Sequence, residues 1–354
     1  MAETAGKRVA VVIVTYDAER YLDDCLGSLR LADTSGIDLT VFAVDNDSHD
    51  GTARIIGERY PEVRLIRNDR NIGFAAGNNR GIEAATAAGA EYVYLLNQDT
   101  EVAAPFLREA LQVMESDDRI GSVQSLLLLS PERHLVNSSG NAIHFLGFGF
   151  CEDYRRPVER LDRSRIRPIT YASGAGVLFR VSVLRETGLF DERLFLYHED
   201  LDLGWRLRLA GFENVLAPHS VVYHKYEFSR SIGKYYYMER NRYIVLLKNL
   251  RLWSLLVLLP ALLIAEVGLW IGALRGGWWR KKRAATAYFL KGDAWRHILT
   301  GRRRVARTRR ISDRRLVRHF SSVIAHQEVE KPLVRYVANP LMTVAWAVMR
   351  LLII

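Results

Sequence analysis

The chain predicts an α/β fold: an open, mostly parallel sheet with helices on both faces, followed by basic and apolar membrane-associated helices. Three observations carry this expectation. Short β-branched runs alternate with helical spacing over residues 8–100. The strand ends in that stretch are rich in acids and amides. An apolar run of 23 residues at 252–274 then leads into a strongly basic segment.

Residues 9–15, Val-Ala-Val-Val-Ile-Val-Thr, are a β-branched run that fits a strand buried on both faces. Over residues 18–31 helical spacing brings together Tyr21, Leu22, Cys25, Leu26 and Leu29. Residues 39–45 form the second strand, and Asp50-Gly-Thr52 opens the next helix. A third strand at 63–66, an Ala-rich helix at 78–88, a fourth strand at 92–96 and a helix at 105–114 follow. This alternation argues for parallel strands with covered faces. Ligands of such sheets bind at the carboxyl ends of the strands. Those ends are Thr15-Tyr16-Asp17, Asp45-Asn46-Asp47, residues 68–73 and Asn97-Gln98-Asp99.

Residues 121–180 are less periodic. Stretches 138–141 and 145–150 read as strands joined by turns, and 155–167 as a polar loop. Residues 171–176, Tyr-Ala-Ser-Gly-Ala-Gly, are small enough for close backbone approach to a ligand or another strand. An amphipathic helix then begins at the acidic knot His198-Glu199-Asp200-Leu201-Asp202, where the helix dipole favours acids.

A length of 354 residues accommodates one large domain plus an appendage, or two domains. We expect a catalytic region over 1–250, with halves 1–120 and 121–250, and a membrane-associated helical region over 251–354. The net charge of +10 is uneven: residues 275–318 hold sixteen Lys and Arg against Asp293 and Asp313. Trp278, Trp279 and Trp295 lie among those bases, which suits an anionic membrane surface and disfavours nucleic acid as the partner. Lys248 and Arg251 flank the other end of the apolar run, and Pro260 and Glu266 interrupt it. Charge on both sides favours a helix lying in the interface, with a crossing hairpin as the alternative. Cys25 and Cys151 make no disulfide framework or zinc spacing, and no apolar leader opens the chain. The expected location is the cytoplasmic face of the inner membrane.

The chemistry rests on two acidic sites. Asp99 closes an apolar strand, and the Glu199-Asp200 pair lies about a hundred residues downstream. One carboxylate to hold a divalent metal and another to take a proton is what sugar transfer from a nucleotide diphosphate needs. Its transition state is oxocarbenium-like. The leaving diphosphate gains charge that a cation neutralises, and a base takes the acceptor proton.

Five motifs in order resemble family 2 glycosyltransferases with the GT-A fold. They are residues 13–16 (Ile-Val-Thr-Tyr), 44–52 (Val-Asp-Asn-Asp-Ser-His-Asp-Gly-Thr), 71–79 (Asn-Ile-Gly-Phe-Ala-Ala-Gly-Asn-Asn), 96–100 (Leu-Asn-Gln-Asp-Thr) and 196–206 (Leu-Tyr-His-Glu-Asp-Leu-Asp-Leu-Gly-Trp-Arg). The nearest resemblance is to bacterial rhamnosyltransferase-like and galactofuranosyltransferase-like members, over residues 8–250.

The resemblance implies that Thr15, Tyr16 and Asp17 line the nucleotide pocket and that Asp45 binds the imide of uracil or thymine. Asn71, Gly73, Asn97 and Gln98 would lie against the nucleotide. Asp99 and His224 would hold Mg2+ or Mn2+, and Asp200, beside Glu199, would be the general base. The donor would be a UDP- or dTDP-sugar, with L-rhamnose the first expectation, and the acceptor a polyprenyl-diphosphate-linked or other lipid-borne glycan. The family's metal motif often has two Asp; Asn97 holds the first of those positions here. That departure leaves a sugar-nucleotide-binding protein without transfer activity as an alternative. A nucleotidyltransferase is a further one, although no Gly-rich phosphate loop follows the first strand. Trp205, Arg240 and Arg242 are candidate acceptor or diphosphate contacts, the arginines because they follow Tyr235-Tyr-Tyr237. Plainer readings stand beside these: a turn for Asp45, a core histidine for His224, a core aromatic for Trp205 and a solvated helix face for the arginines.

Overall fold

The computed structural model describes residues 6–226, 235–324 and 334–354. Strand β1 (Lys7–Thr15) buries Val9 to Ile13 almost completely. It pairs in parallel with β2 (Ile37–Asp45), and β2 with β3 (Arg64–Arg67). On its other side β1 pairs in parallel with β4 (Tyr92–Asn97). Val9, Val11 and Ile13 enter one core and Ala10 and Val12 the other, so the β-branched run serves both faces. Helices α1 (Leu22–Arg30) and α2 (Thr52–Arg59) cover the first core through Leu22, Leu26, Ile55 and Ile56. Helix α3 (Gly73–Ala87) covers the second with Ala75, Ile82 and Ala85. It starts five residues before the expected position.

The rest of the sheet is mixed. After β5 (Thr100–Val102) and α4 (Phe106–Glu115), strand β6 (Ile120–Leu129) is buried at every position. It includes Ser122, Gln124 and Ser125, whose side chains bond to neighbouring strands. Those buried polar groups hide the strand from any hydropathy pattern. Short strands β7 (Val136–Ser138), β8 (Asn141–Ile143), β9 (Gly149–Cys151) and β10 (Arg167–Ile169) follow. Strand β11 (Gly176–Arg180) runs antiparallel between β4 and β6. Beyond helices α5 (Val181–Thr187) and α6 (Glu199–Leu209), strand β12 (Glu213–His224) pairs in parallel with β6. The order across the sheet is β10-β12-β6-β11-β4-β1-β2-β3. The expected parallel pairing thus holds for β1–β4 and recurs between β6 and β12, with antiparallel β11 between the two groups. Helix α6 also differs from its expected amphipathic character: ten of its eleven residues are buried.

Helices α7 (Tyr235–Asn249), α8 (Leu252–Arg275), α9 (Trp279–Ala287), α10 (Gly292–Thr308), α11 (Asp313–Leu316) and α12 (Asn339–Leu352) complete the chain. A third core joins them to the sheet domain. Trp205 of α6 meets Phe320 edge-on at 4.8 Å, and Phe145 stacks on Trp346 of α12 at 4.9 Å. Leu258 of α8 and Ile298 of α10 belong to the same cluster.

Helix α8 is apolar and long enough to cross a membrane, and little of it is buried. Its inward stripe carries two polar anchors, Ser254 and Glu266. Ser254 Oγ donates to Asp313 at 2.6 Å. Glu266 accepts from Lys282 of α9 at 2.8 Å and from the Tyr243 hydroxyl.

Candidate active site

The carboxyl ends of β1, β2 and β4 open onto a cleft of about 760 Å³. Its lining at the strand ends includes Tyr16, Asp17, Asn71, Gly73, Asn97, Gln98 and Asp99. Gln98 braces Tyr16 by accepting from its backbone N–H at 2.7 Å and donating to its carbonyl at 3.1 Å. Asp17 (φ 47°) accepts from the His49 N–H at 2.8 Å. Asn71 Oδ1 accepts the Gly73 N–H at 2.9 Å. Gly73 has φ 88°, and a Cβ there would lie 2.5 Å from the Phe195 ring. Its close approach is therefore to the far wall of the cleft, as well as to whatever ligand the cleft takes.

Thr15 and Asp45 sit beneath the wall. Both are buried, and Thr15 Oγ1 donates to Asp45 Oδ1 at 3.2 Å, as does Ser48 Oγ at 2.5 Å. Here Asp45 closes a turn at the end of β2. Its neighbour Asn46, which sequence reasoning missed, reaches the cleft and bonds Gly73 O and Asn68.

Sheet register explains how residues 125 positions apart meet. Thr100 pairs with His224 where β5 meets β12, so Asp99 comes beside the imidazole. Asp99 Oδ1 and His224 Nε2 are 3.3 Å apart. His224 Nδ1 donates to Asn137 Oδ1 at 2.9 Å. That contact holds the ring so that Nε2 faces the Asp99 carboxylate. Asp99 and His224 Nε2 are joined on the cleft by Asn97 Oδ1, which is buried without a hydrogen-bond partner. This donor set fits a divalent cation. No group of three His, Cys, Asp or Glu arranged for a metal occurs among the described residues. The remaining ligands must then come from amides, water or substrate.

Glu199 and Asp200 open α6 and line the same cleft. Burial pushes the Asp200 carboxyl up to about 6, partly offset by hydrogen bonds from the Leu201 and Gly174 N–H groups. Gly174 comes from the small-residue stretch flagged in the sequence. Glu199 is raised further, by burial first and then by the Asp200 charge, and its Oε2 has no hydrogen-bond partner. Burial therefore outweighs the mutual repulsion expected of the pair. Phe150, Tyr171, Tyr226 and Met238 add an apolar rim that sequence reasoning missed. Their signal was weak, because isolated aromatics read equally well as core.

Besides Thr15 and Asp45, three further candidates do not reach the cleft. Trp205 is fully buried in the third core. Arg242 is locked to Glu239 at 2.9 Å and to the Leu146 carbonyl at 3.0 Å. Arg240 donates to the Arg193 and Leu194 carbonyls at 2.7 and 3.1 Å. The arginines beside tyrosines are structural because every one of these acceptors is internal.

The family profile described as "Glycosyltransferase like family 2" matches residues 6–243. N-acetylglucosaminyl-diphospho-decaprenol L-rhamnosyltransferase of Mycobacterium tuberculosis is 32% identical over 234 residues, 60% of this chain and 75% of its own length. The low-salt glycan biosynthesis hexosyltransferase Agl10 of Haloferax volcanii is 24% identical, covering 56% of this chain and 61% of its own. Among solved structures, GalNAc-T7 with UDP, GalNAc and Mn2+ superposes with a TM-score of 0.55 at 16% identity. That match covers 69% of this chain and 48% of the other. The S. aureus TarS structure 1–349 gives 0.50 at 15% identity, over 98% of this chain and 88% of that one. The mixed sheet, its acid-lined strand ends and these likenesses together establish a glycosyltransferase of GT-A architecture, and the chain belongs to glycosyltransferase family 2, with a rhamnosyltransferase-like relative.

Proposed function

We propose that this enzyme is an inverting, divalent-metal-dependent transferase that moves L-rhamnose from a dTDP- or UDP-sugar. The acceptor is a polyprenyl-diphosphate-linked saccharide at the cytoplasmic face of the inner membrane. The observation that carries the reading is Asp200: a carboxyl of pKa about 6, fixed by two backbone N–H groups, lining the same cleft as Asp99 and His224. Such a group is ionised at neutral pH and still basic enough to accept a proton. The name of the Mycobacterium tuberculosis relative supplies the sugar and the lipid acceptor.

The roles follow from position. Tyr16, Asp17, Asn46 and Asn71 hold the nucleotide at the strand ends, with Asp45 shaping that pocket from below. Asp99, His224 and Asn97 hold Mg2+ or Mn2+ together with the donor diphosphate. When bound, the cation neutralises charge on the leaving diphosphate. Asp200 takes the acceptor hydroxyl proton as that oxygen attacks the anomeric carbon from the face opposite the leaving group. Burial raises the Glu199 carboxyl well above its usual range, which disfavours a second negative charge beside the base.

Helix α8 and helix α12 supply the membrane contact. They pack together, with Trp253 Nε1 donating to the Leu352 carbonyl at 2.9 Å. Outward they expose Leu263, Ile264, Val267, Val344 and Leu351. The inward anchors of α8 hold it along the protein body, which favours a helix lying in the interface.

A panel of dTDP- and UDP-sugars, offered with polyprenyl-diphosphate-linked N-acetylglucosamine in manganese, tests the function. Rhamnosylated lipid with inverted anomeric configuration is expected. Transfer of another sugar, or full activity in EDTA, would overturn the corresponding part of the reading.

A further inference from the structure

The loop that delivers the two carboxylates is unusually strained. Seven non-glycine residues have positive φ among the described residues. Three of them, Phe195 (62°), Tyr197 (64°) and His198 (68°), fall within four consecutive positions just before Glu199. Phe195 has ψ −59°, and the Leu196 N–H donates to the Leu194 carbonyl at 2.7 Å. This is a γ-turn of the rarer, positive-φ kind. None of the three residues has glycine's freedom. Such backbone persists only where its surroundings over-determine it, and it concentrates at functional sites.

The surroundings here are one side chain and its neighbour. Asn241 of α7 is completely buried. Its Nδ2 lies 2.8, 3.0 and 2.7 Å from the carbonyl oxygens of Leu194, Leu196 and Tyr197. Its Oδ1 accepts from Arg240 Nε and Nη2 at 2.9 and 2.8 Å. Arg240 in turn donates to the Arg193 and Leu194 carbonyls. The carbonyl of Phe195 is taken from the other side, by the Ala75 N–H in the first turn of α3, at 3.2 Å. Every carbonyl from Arg193 to Tyr197 is thus held, four of them from α7.

We infer that Asn241 is a positioning residue for the transfer reaction: by gripping the carbonyls of residues 194, 196 and 197 it fixes the left-handed entry into α6 and so aims Asp200 into the cleft. The inference rests on the reading of Asp200 as base. It also gives the Arg240-Asn-Arg242 sequence a purpose other than substrate contact. The consequence of losing the grip is a base about an ångström out of place, and displacements of that size cost on the order of 10²-fold in rate.

The test is a double-mutant cycle with Asn241→Leu and Asp200→Asn, read as transfer to the lipid-linked acceptor, with UDP and dTDP binding measured by calorimetry. Asn241→Leu should lower kcat about 10- to 100-fold, leaving nucleotide affinity nearly unchanged. In the Asp200→Asn background it should cost no further rate, because the group it positions is already gone. An equal loss in both backgrounds, or a loss matched by the folded fraction, would make Asn241 merely structural and overturn the inference. So would a wild-type rate for Asn241→Leu. Asn241→Ser, which keeps one donor, serves in the same cycle should the leucine variant not fold, with the same criteria. A wild-type rate for Asp200→Asn alone is a separate result: it removes the base assignment, whatever Asn241 does.

Discussion

Asp200 is the group on which the proposed chemistry turns, and its titration makes two predictions. Activity needs the carboxylate, so kcat should fall as pH drops through about 6 and level off above it. Asp200→Asn should cut turnover about 10²–10⁴-fold while nucleotide binding stays the same; a near-wild-type rate, with Glu199→Gln inactive, would move the role to Glu199. Stability runs the other way. The folded pKa lies above the unfolded value near 3.9, so the unfolded chain ionises first and stability falls between about pH 4 and 6. Asp200→Asn should therefore melt higher than wild type at pH 7, by about 1–3 kcal/mol in stability; an unchanged or lower Tm would contradict it. Asp99 makes a third prediction. Asp99→Ala should weaken donor binding in manganese and matter little in EDTA, as read by calorimetry. Equal losses in both would give Asp99 a structural role.

At the scale of elements, a reader of the sequence sees what is periodic or punctuated. Strands β1, β2 and β4 were legible because β-branched runs end on acids. The meeting of Asp99 with His224 was not legible from spacing, since it depends on β5 pairing with β12; the resemblance to a family supplied it. Strand β6 was obscured by its buried serines and glutamine. Trp205, Arg240 and Arg242 misled because tryptophan and arginine suit ligands and cores equally well. Asn241 carried no local signal, because its three acceptors lie some forty-five residues away in sequence. Helix α8 shows the opposite case: Glu266 looked like a flaw in an apolar run and is an anchor. Lys282 is fully buried between Glu239 and Glu266. Lys282→Ala leaves Arg242 as the remaining cation beside these two carboxylates and should cost up to about 3–5 kcal/mol, visible as a drop in Tm. A drop no greater than that of Lys281→Ala, at an exposed neighbouring position, would show the network to be dispensable.

For the whole molecule, the proposed membrane face is the outer side of α8 and α12, beside the basic helices α9 and α10. Binding to vesicles should rise steeply with anionic lipid, since each base near the surface contributes about 1 kcal/mol. Cysteines placed at the exposed positions 280, 281 and 283 should react with an impermeant reagent only after the cell is opened. Labelling from outside would replace the in-plane arrangement with a crossing. The third core spans residues on both sides of position 250, so a chain cut after Asn249 loses Leu258, Ile298 and Trp346 from beside Trp205 and Phe145. The apolar face has one more consequence. Ile264, Val344 and Leu351 are each more than two-thirds exposed, a surface that water tolerates poorly. In buffer without detergent or lipid, two copies can hide it only against each other. Dimers or larger particles seen under those conditions would then be a substitute for the bilayer, and adding vesicles should dissolve them into membrane-bound monomers.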